Sequence, residues 1–312
     1  MSVSLKCIGV ISIGEMGLGV ARLLIAHGYR VVTFVADRSA TTQNRASSAG
    51  VEECQSLREM VCESDCVLSI VPPKDAHDTA RRIAAELPSR AAKRSTPLYF
   101  LELNAVSPSS ARAMAALFTA TPSAAVTIDG GIIGGPPQPV DDDRWKSPRL
   151  VMSGPSPLPD GQLTTILNVR HVSTEIGAAS GLKMCFASLT KGFTALAIQS
   201  FTSAQGLGTL PELRDLLQEH FPAMLSRADA GVRSMPPKAY RWVREMEEIG
   251  DTFADEGFER DLFYQVAQVY RTVADDPILG QEQTGQRERG QTAEDVAGIL
   301  HGALSREGED PQ

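Results

Sequence analysis

A chain of 312 residues, 42% hydrophobic and 22% charged, is long enough for two domains and has the composition of an ordinary globular protein. Its net charge of -8 lacks the basic excess of a nucleic-acid binder, and no apolar run approaches the ~20 residues of a membrane span, so neither partner is expected. The five cysteines form no C-x-x-C pair, and an odd count closes no disulfide framework. The start of the chain also shows no secretion-signal pattern, so reduced thiols and a cytoplasmic location are expected. No histidine or cysteine cluster has metal-ligand spacing, so no metal site is expected.

In chain order, the first signal is the stretch from Ile8 to Arg22. A β-branched run ends at Ser12-Ile13, glycines follow at Gly14 and Gly17, and an amphipathic segment runs through Ala21, Leu23, Leu24 and Ile25. Strand, tight turn and helix in that order aim free backbone N–H groups at a diphosphate. The pattern is S-x-G-x-x-G, with Ser12 where the usual fingerprint has its first glycine. Serine serves there only if the turn needs no positive φ. Ser12, Gly14, Glu15, Met16 and Gly17 are thus candidate cofactor residues.

Gly28 stops the helix, and residues 29–35 read as a second strand. After it comes Asp37-Arg38-Ser39, about where a dinucleotide fold reads the ribose. Asp37 suits the hydroxyls of NAD, whereas Arg38 and Ser39 suit the 2'-phosphate of NADP. The apolar run 66–71 reads as a strand covered on both faces, and Val71-Pro72 at its end are further cofactor candidates. Strands are also predicted at 98–103, 125–128 and 150–153, with helices between them. The Gly/Pro-rich stretch 130–139 reads as a wide turn whose backbone faces a ligand.

From Gly177 the pattern turns helical. A long helix is predicted to about Gln205, with Leu182, Phe186, Leu189, Phe193 and Leu196 on one side and Ser180, Lys183, Ala187, either Thr190 or Lys191, and Thr194 on the other. Helices follow at 210–220, 221–233, 238–256, 260–275 and 292–304, while 280–290 reads as a polar, solvated loop. The expected fold is therefore an α/β Rossmann domain over 1–175, doubly wound on a mainly parallel sheet. An all-α domain over 176–312 would follow, opened by the long inter-domain helix.

Four stretches together resemble the 6-phosphogluconate and β-hydroxyacid dehydrogenase superfamily. Ser12 to Gly17 is similar to its G-x-G-x-M-G turn, Glu102 to Pro108 to its D-x-S-T-x-x-P segment with Asn104 for serine, and Asp129 to Gly135 to its D-A-P-V-S-G-G loop with Ile133 for serine. Gly177 to Lys183 resembles its G-x-G-x-x-x-K helix start, which puts Lys183 on the catalytic lysine. The Tyr240-Arg241-Trp242-Val243 segment resembles a divergent branch with an uncharacterised helical C-terminal domain. The family's asparagine one turn after the lysine falls on Ala187, so the substrate is expected to differ.

The resemblance implies an NADP(H)-dependent oxidoreductase acting on a hydroxyl/carbonyl pair of a small molecule, NAD(H) being the alternative cofactor. Lys183 and Asn104 are the catalytic candidates, and Asn104, Gly134, Gly135, Thr190 and Lys191 the substrate contacts. A lysine works as a base near neutral pH only where burial or a second ammonium disfavours its charge; Lys191, two helical turns on, is expected to flank the same pocket. A C=N reductase and a non-catalytic dinucleotide-binding protein are the alternatives. A homodimer is expected, with Trp242, Phe253 and Tyr264 as candidate anchors.

Overall fold

The computed structural model describes residues 4–120, 124–141 and 144–307. The chain divides into two compact units, Met1–Met184 and Cys185–Gln312. The division falls within the helix carrying Lys183, so its first turns go with the nucleotide-fold unit.

The first unit is built on an eight-stranded sheet of β1 (Cys7–Ile11), β2 (Arg30–Thr33), β3 (Glu52–Glu53), β4 (Cys66–Ser69), β5 (Leu98–Glu102), β6 (Ala125–Ile133), β9 (Arg149–Ser153) and β10 (Val169–Ser173), and β7 (Gln138–Pro139) and β8 (Trp145–Lys146) form a separate hairpin. The sheet order is β10-β9-β6-β5-β4-β1-β2-β3. All pairings are parallel except β6 with β9. The chain winds outward both ways from the β1/β4 neighbours, so a crevice opens at the carboxyl ends of these two strands.

Helices α1 (Glu15–Ala26), α2 (Ala40–Ser48), α3 (Leu57–Glu63), α4 (Pro73–Ala85), α5 (Leu87–Ala91), α6 (Pro108–Ala116) and α7 (Gly161–Ile166) connect the strands. Alternate residues explain the two faces. Ile8, Val10, Cys66 and Leu68 pack with Val20, Leu23 and Leu24 of α1, while Cys7, Ile11 and Val67 pack with Met60, Ile83 and Met114 of α3, α4 and α6. A parallel sheet covered on both sides needs such runs.

The stretch read as a wide turn is in part strand. β6 continues through Gly130 and Gly131 to Ile133 because β9 lies antiparallel against it, Asp129 facing Ser153 and Ile133 facing Arg149. The glycines allow close packing: a Cβ on Gly130 would come 2.6 Å from Leu103, and one on Gly131 would come 2.7 Å from the Lys183 Cβ.

The helical signature continues through α8 (Ala178–Ala187), a π-helical turn over Ser188–Gly192 and α9 (Phe193–Gly206). The second unit adds α10 (Leu210–His220), α11 (Pro222–Ser234), α12 (Ala239–Asp255), α13 (Asp261–Asp275) and α14 (Ala293–Glu307), with short 3-10 turns at Pro236–Lys238 and Leu279–Gln281. Trp242, Phe253 and Tyr264, expected as dimer anchors, make contacts inside this unit. Trp242 stands edge-on to Tyr270, Phe253 edge-on to Phe263, and the Tyr264 hydroxyl donates to Asp251 at 3.0 Å. The exposed apolar side chains are others, Phe186 (46%), Leu189 (79%) and Leu196 (59%) among them.

Candidate active site

The site is read upward from a row of side chains crossing the sheet. Parallel register aligns Ile11 with Ser69, Ser69 with Glu102 and Glu102 with Asp129, and the antiparallel pair adds Ser153. Four neighbours in this row, Ser69, Glu102, Asp129 and Ser153, are polar and at most 1% exposed. Buried polar groups of this kind require partners, and the partners define the site.

Asp129 organises the lysine. Its carboxylate accepts from Ser153 Oγ (2.8 Å), from the backbone N–H groups of Gly177 (2.9 Å), Ala179 (3.1 Å) and Ser180 (3.0 Å), and from Ser180 Oγ (2.5 Å). A carboxylate there satisfies the unpaired first-turn donors of α8 and complements its dipole. Gly177 permits the entry with φ +100°, and a Cβ on it would strike Pro108 and Arg112. Five residues after Ala178, Lys183 passes over Gly131, and its Nζ donates to the Ile132 carbonyl at 2.7 Å. The sequence motif located Asp129, but only the bonds show it to be the anchor of the helix.

Glu102 and Asn104 link β5 to β4. Asn104, 3% exposed, accepts from the Val71 N–H at 2.6 Å and donates to Ser69 Oγ at 3.1 Å, while Glu102 Oε1 accepts from the Asn104 N–H at 3.0 Å. Asn104 thus holds the Val71-Pro72 turn in place and ties it to Ser69 and Glu102. Burial, reinforced by the Asp129 carboxylate, pushes the Glu102 carboxyl up to about 8, against the opposing hydrogen bonds from Asn104 and Ser69. Its Oε2 has no partner among the described residues. A carboxyl held neutral at pH 7 accounts for this acid beside Asp129.

The cofactor candidates gather at the crevice. α1 starts at Glu15 with Gly14 as its cap and no side-chain cap, which leaves its first N–H groups to an incoming anion. A Cβ on Gly17 would lie 1.9 Å from the Ser12 carbonyl oxygen, so this turn admits only glycine. Ser12 takes φ +73°, which contradicts the expectation that serine serves because positive φ is not needed. The turn keeps the left-handed geometry of the three-glycine fingerprint and holds serine in it at a cost of about 1–2 kcal/mol. Glu15 is exposed, and Met16 is half-buried against the core. The uncapped helix and the tight turn fit a dinucleotide.

At the end of β2, Asp37 pairs with Arg38 (3.4 Å) and with Arg82 of α4 (3.0 Å). Sequence reading missed Arg82, which lies 45 residues from Asp37. Ser39 caps α2, accepting from the Thr42 N–H at 3.4 Å. Gly134, at φ +131°, and Gly135 leave β6 exposed to solvent.

In the helical unit, Lys191 forms an ion pair with Glu245 and sits 4.6 Å from the Trp242 ring centre, and its carbonyl accepts from Tyr270 Oη at 2.5 Å. Thr190 Oγ1 donates to the carbonyls of Phe186 (3.1 Å) and Ala187 (3.3 Å). Ala187, on the position of the family's asparagine, is 1% exposed. The π-helical turn that carries Thr190 and Lys191 was not legible from three-and-four spacing. Among the described residues no group of three or more His, Cys, Asp or Glu is arranged to hold a metal, and no helix is long and apolar enough to cross a membrane.

This geometry is that of a nicotinamide-dinucleotide fold. Residues 7–138 match the family described as the NAD binding domain of 6-phosphogluconate dehydrogenase, and residues 204–273 match a domain of unknown function, DUF1932. The chain is similar to an uncharacterised 28.5 kDa protein of Methanothermus fervidus, 25% identical over 218 residues (68% of this chain, 76% of that protein). It is similar to the structure of a conserved protein of unknown function described as resembling 3-hydroxyacid dehydrogenases (25% identity, TM-score 0.60, 88% of this chain and 100% of that one). It shares a fold with the 3-hydroxyisobutyrate dehydrogenase of Mycobacterium tuberculosis, solved with L-serine (18% identity, TM-score 0.65, 96% and 99% covered).

Proposed function

We propose that the protein is an NADP(H)-dependent oxidoreductase that interconverts a hydroxyl and a carbonyl on a small hydroxy-acid-like molecule. The observation that carries this reading is the placement of Lys183. A helix start clamped by Asp129 and an approach over Gly131 fix its Nζ beside the Ile132 carbonyl, on a fold that matches an NAD-binding domain. Bound nicotinamide supplies the hydride acceptor or donor. As the substrate carbon gives up hydride, its hydroxyl gives up a proton to the Lys183 side chain, which returns it in reduction. The bond to Ile132 orients Nζ, and Asn104 and the Gly134-Gly135 backbone hold the substrate oxygen atoms.

NADP(H) is favoured over NAD(H) because Arg38 and Arg82 together outweigh Asp37, leaving one net positive charge where a 2'-phosphate would sit. A cytoplasmic location fits five free thiols. A homodimer fits the exposed Phe186, Leu189 and Leu196, which a second copy would cover; a monomeric mass by light scattering at micromolar concentration would exclude it. The test of the chemistry is Lys183→Ala. Turnover of NADPH with a panel of small keto acids, or of NADP+ with hydroxy acids, is expected to fall about a hundredfold in kcat, with cofactor affinity unchanged. Retained turnover would refute the role of Lys183.

A further inference from the structure

The second unit contains a cavity of about 410 Å³ lined by Arg233 and Ser234 at the end of α11, Pro237 and Lys238 of the following turn, and Thr284, Gly285, Arg287 and Gln291 of the loop before α14. Three of these eight residues are basic and none is acidic, although the whole chain has 38 acidic residues against 30 basic ones. The loop is the segment whose composition reads as solvated. It is instead folded back on itself, with the Glu282 carboxylate accepting from the Glu288 N–H (3.0 Å) and the Arg289 N–H (2.9 Å), and Asp295 accepting from the Gly290 N–H (2.6 Å).

That folding fixes Arg287 without neutralising it. Its guanidinium donates to the carbonyls of Arg233 and Gly290, and its Nε is buried without a partner among the described residues. Burial pulls Arg287 below the ordinary guanidinium value, and the Arg233 charge adds to this against the opposing Glu282 and Asp295. Those two acids do not line the cavity, and Asp295 is already paired with Arg289 at 2.7 Å. Arg233 has no ion pair among the described residues. The adjoining cavity shows the contrast: it shares Arg233 and Gln291, but its Arg214 is paired with Asp229 (2.5 Å) and Glu294 (3.1 Å).

Arg287, whose printed partners are carbonyl oxygens, and Arg233 repel one another in this concave site until an anion arrives. We propose that this cavity binds a small phosphate-bearing molecule, its phosphate held by Arg233, Lys238 and Arg287 and its remaining atoms by Ser234, Thr284 and Gln291. Guanidinium forks match a phosphate in two-point contacts, and the volume lies within the range of small-molecule sites and exceeds what a bare phosphate fills. The site lies wholly within the helical unit, so it stands or falls independently of the dehydrogenase reading.

The test is calorimetric titration of the full chain with inorganic phosphate and with glycerol 2-phosphate, at ionic strength held constant with sodium chloride. The unmodified protein and Arg227→Gln, an exposed arginine outside the cavity, are expected to bind one equivalent saturably. Arg233→Gln, whose side chain is exposed and makes no hydrogen bond among the described residues, is expected to bind at least fivefold more weakly, and Arg287→Gln more weakly still. Tighter binding of glycerol 2-phosphate identifies a phosphorylated metabolite as the ligand, and equal binding identifies phosphate itself. Absence of saturable heat above the chloride control, or unchanged affinity in Arg233→Gln with its circular dichroism intact, would overturn the proposal.

Discussion

Glu102→Gln tests the reading of the buried row most directly. The side chain is 1% exposed and faces Asp129 across the β5/β6 pair, and its carboxyl is raised from 4.5 to about 8. In the unfolded chain the same group loses its proton near its ordinary value, so between the two values the folded state holds a proton that the unfolded state does not. Stability from this group is complete below about pH 4.5 and is lost as pH rises towards 8. Each pH unit well inside that window is worth about 1.4 kcal/mol, and with the group only partly titrated at either end the loss from pH 5 to pH 8 is about 3.5 kcal/mol. At about 2–4 °C per kcal/mol for a unit of this size, it shifts Tm by about 7–14 °C. Glutamine keeps an acceptor for the Asn104 N–H and cannot ionise, so other titrating groups cancel in the comparison. The Tm of Glu102→Gln minus that of the unmodified protein, by calorimetry or near-ultraviolet circular dichroism, is expected to grow by that amount in favour of the variant from pH 5 to pH 8. A difference that stays constant, or that shrinks as pH rises, would show that Glu102 is ionised in the folded protein.

Two further outcomes follow from the cofactor turn and the ribose end. Ser12→Gly relieves a left-handed serine while adding freedom to the unfolded chain, for a net gain of about 0.5–1 kcal/mol in stability; a lowered Tm in thermal melts would mean that the Ser12 side chain contributes more than its strain costs. Arg82→Ala is expected to reduce the NADPH-to-NADH affinity ratio about fivefold or more in fluorescence titrations, because Asp37 would lose a counter-charge and repel a 2'-phosphate; an unchanged ratio would remove Arg82 from cofactor choice.

How far the sequence carries depends on whether the deciding contact is local. The helices of the second half were legible almost to their ends, because amphipathic spacing is a local signal. The parallel strands β1, β2, β4 and β5 were legible for the same reason, whereas the edge strand β10 was not predicted. β6 was not, since its Gly130-Gly131-Ile132-Ile133 segment has turn composition and becomes strand only because β9 pairs with it from 20 residues away in register. Lys183 was found by motif position, and the stripe Ser180, Ala187 and Thr194 around it proved to be the buried side of the helix, while Leu182, Phe186 and Leu189 proved exposed. Three-and-four spacing tells which residues share a face and not which face is covered.

The contacts that the sequence did not show share one property: each joins partners distant in the chain. Asp129 reaches 51 positions to Ser180, Arg82 reaches 45 to Asp37, and Asn104 reaches 33 to Val71. No window along the chain shows such pairs, but the sheet order accounts for two of them. Once β4, β5 and β6 lie side by side, Ser69, Glu102 and Asp129 must fall in one row at the carboxyl ends, where the topology opens the crevice and where the chain leaves the sheet at Val71, Asn104 and Gly134. A polar row at that height has no function in the core, which β-branched residues would fill with less cost. It binds instead two pieces of backbone at the crevice: the Val71-Pro72 turn through Asn104, and through Asp129 the start of α8, which carries Lys183. On this reading the Glu102 proton and the Lys183 position belong to one arrangement, in which two adjacent buried carboxyls coexist because one of them is neutral.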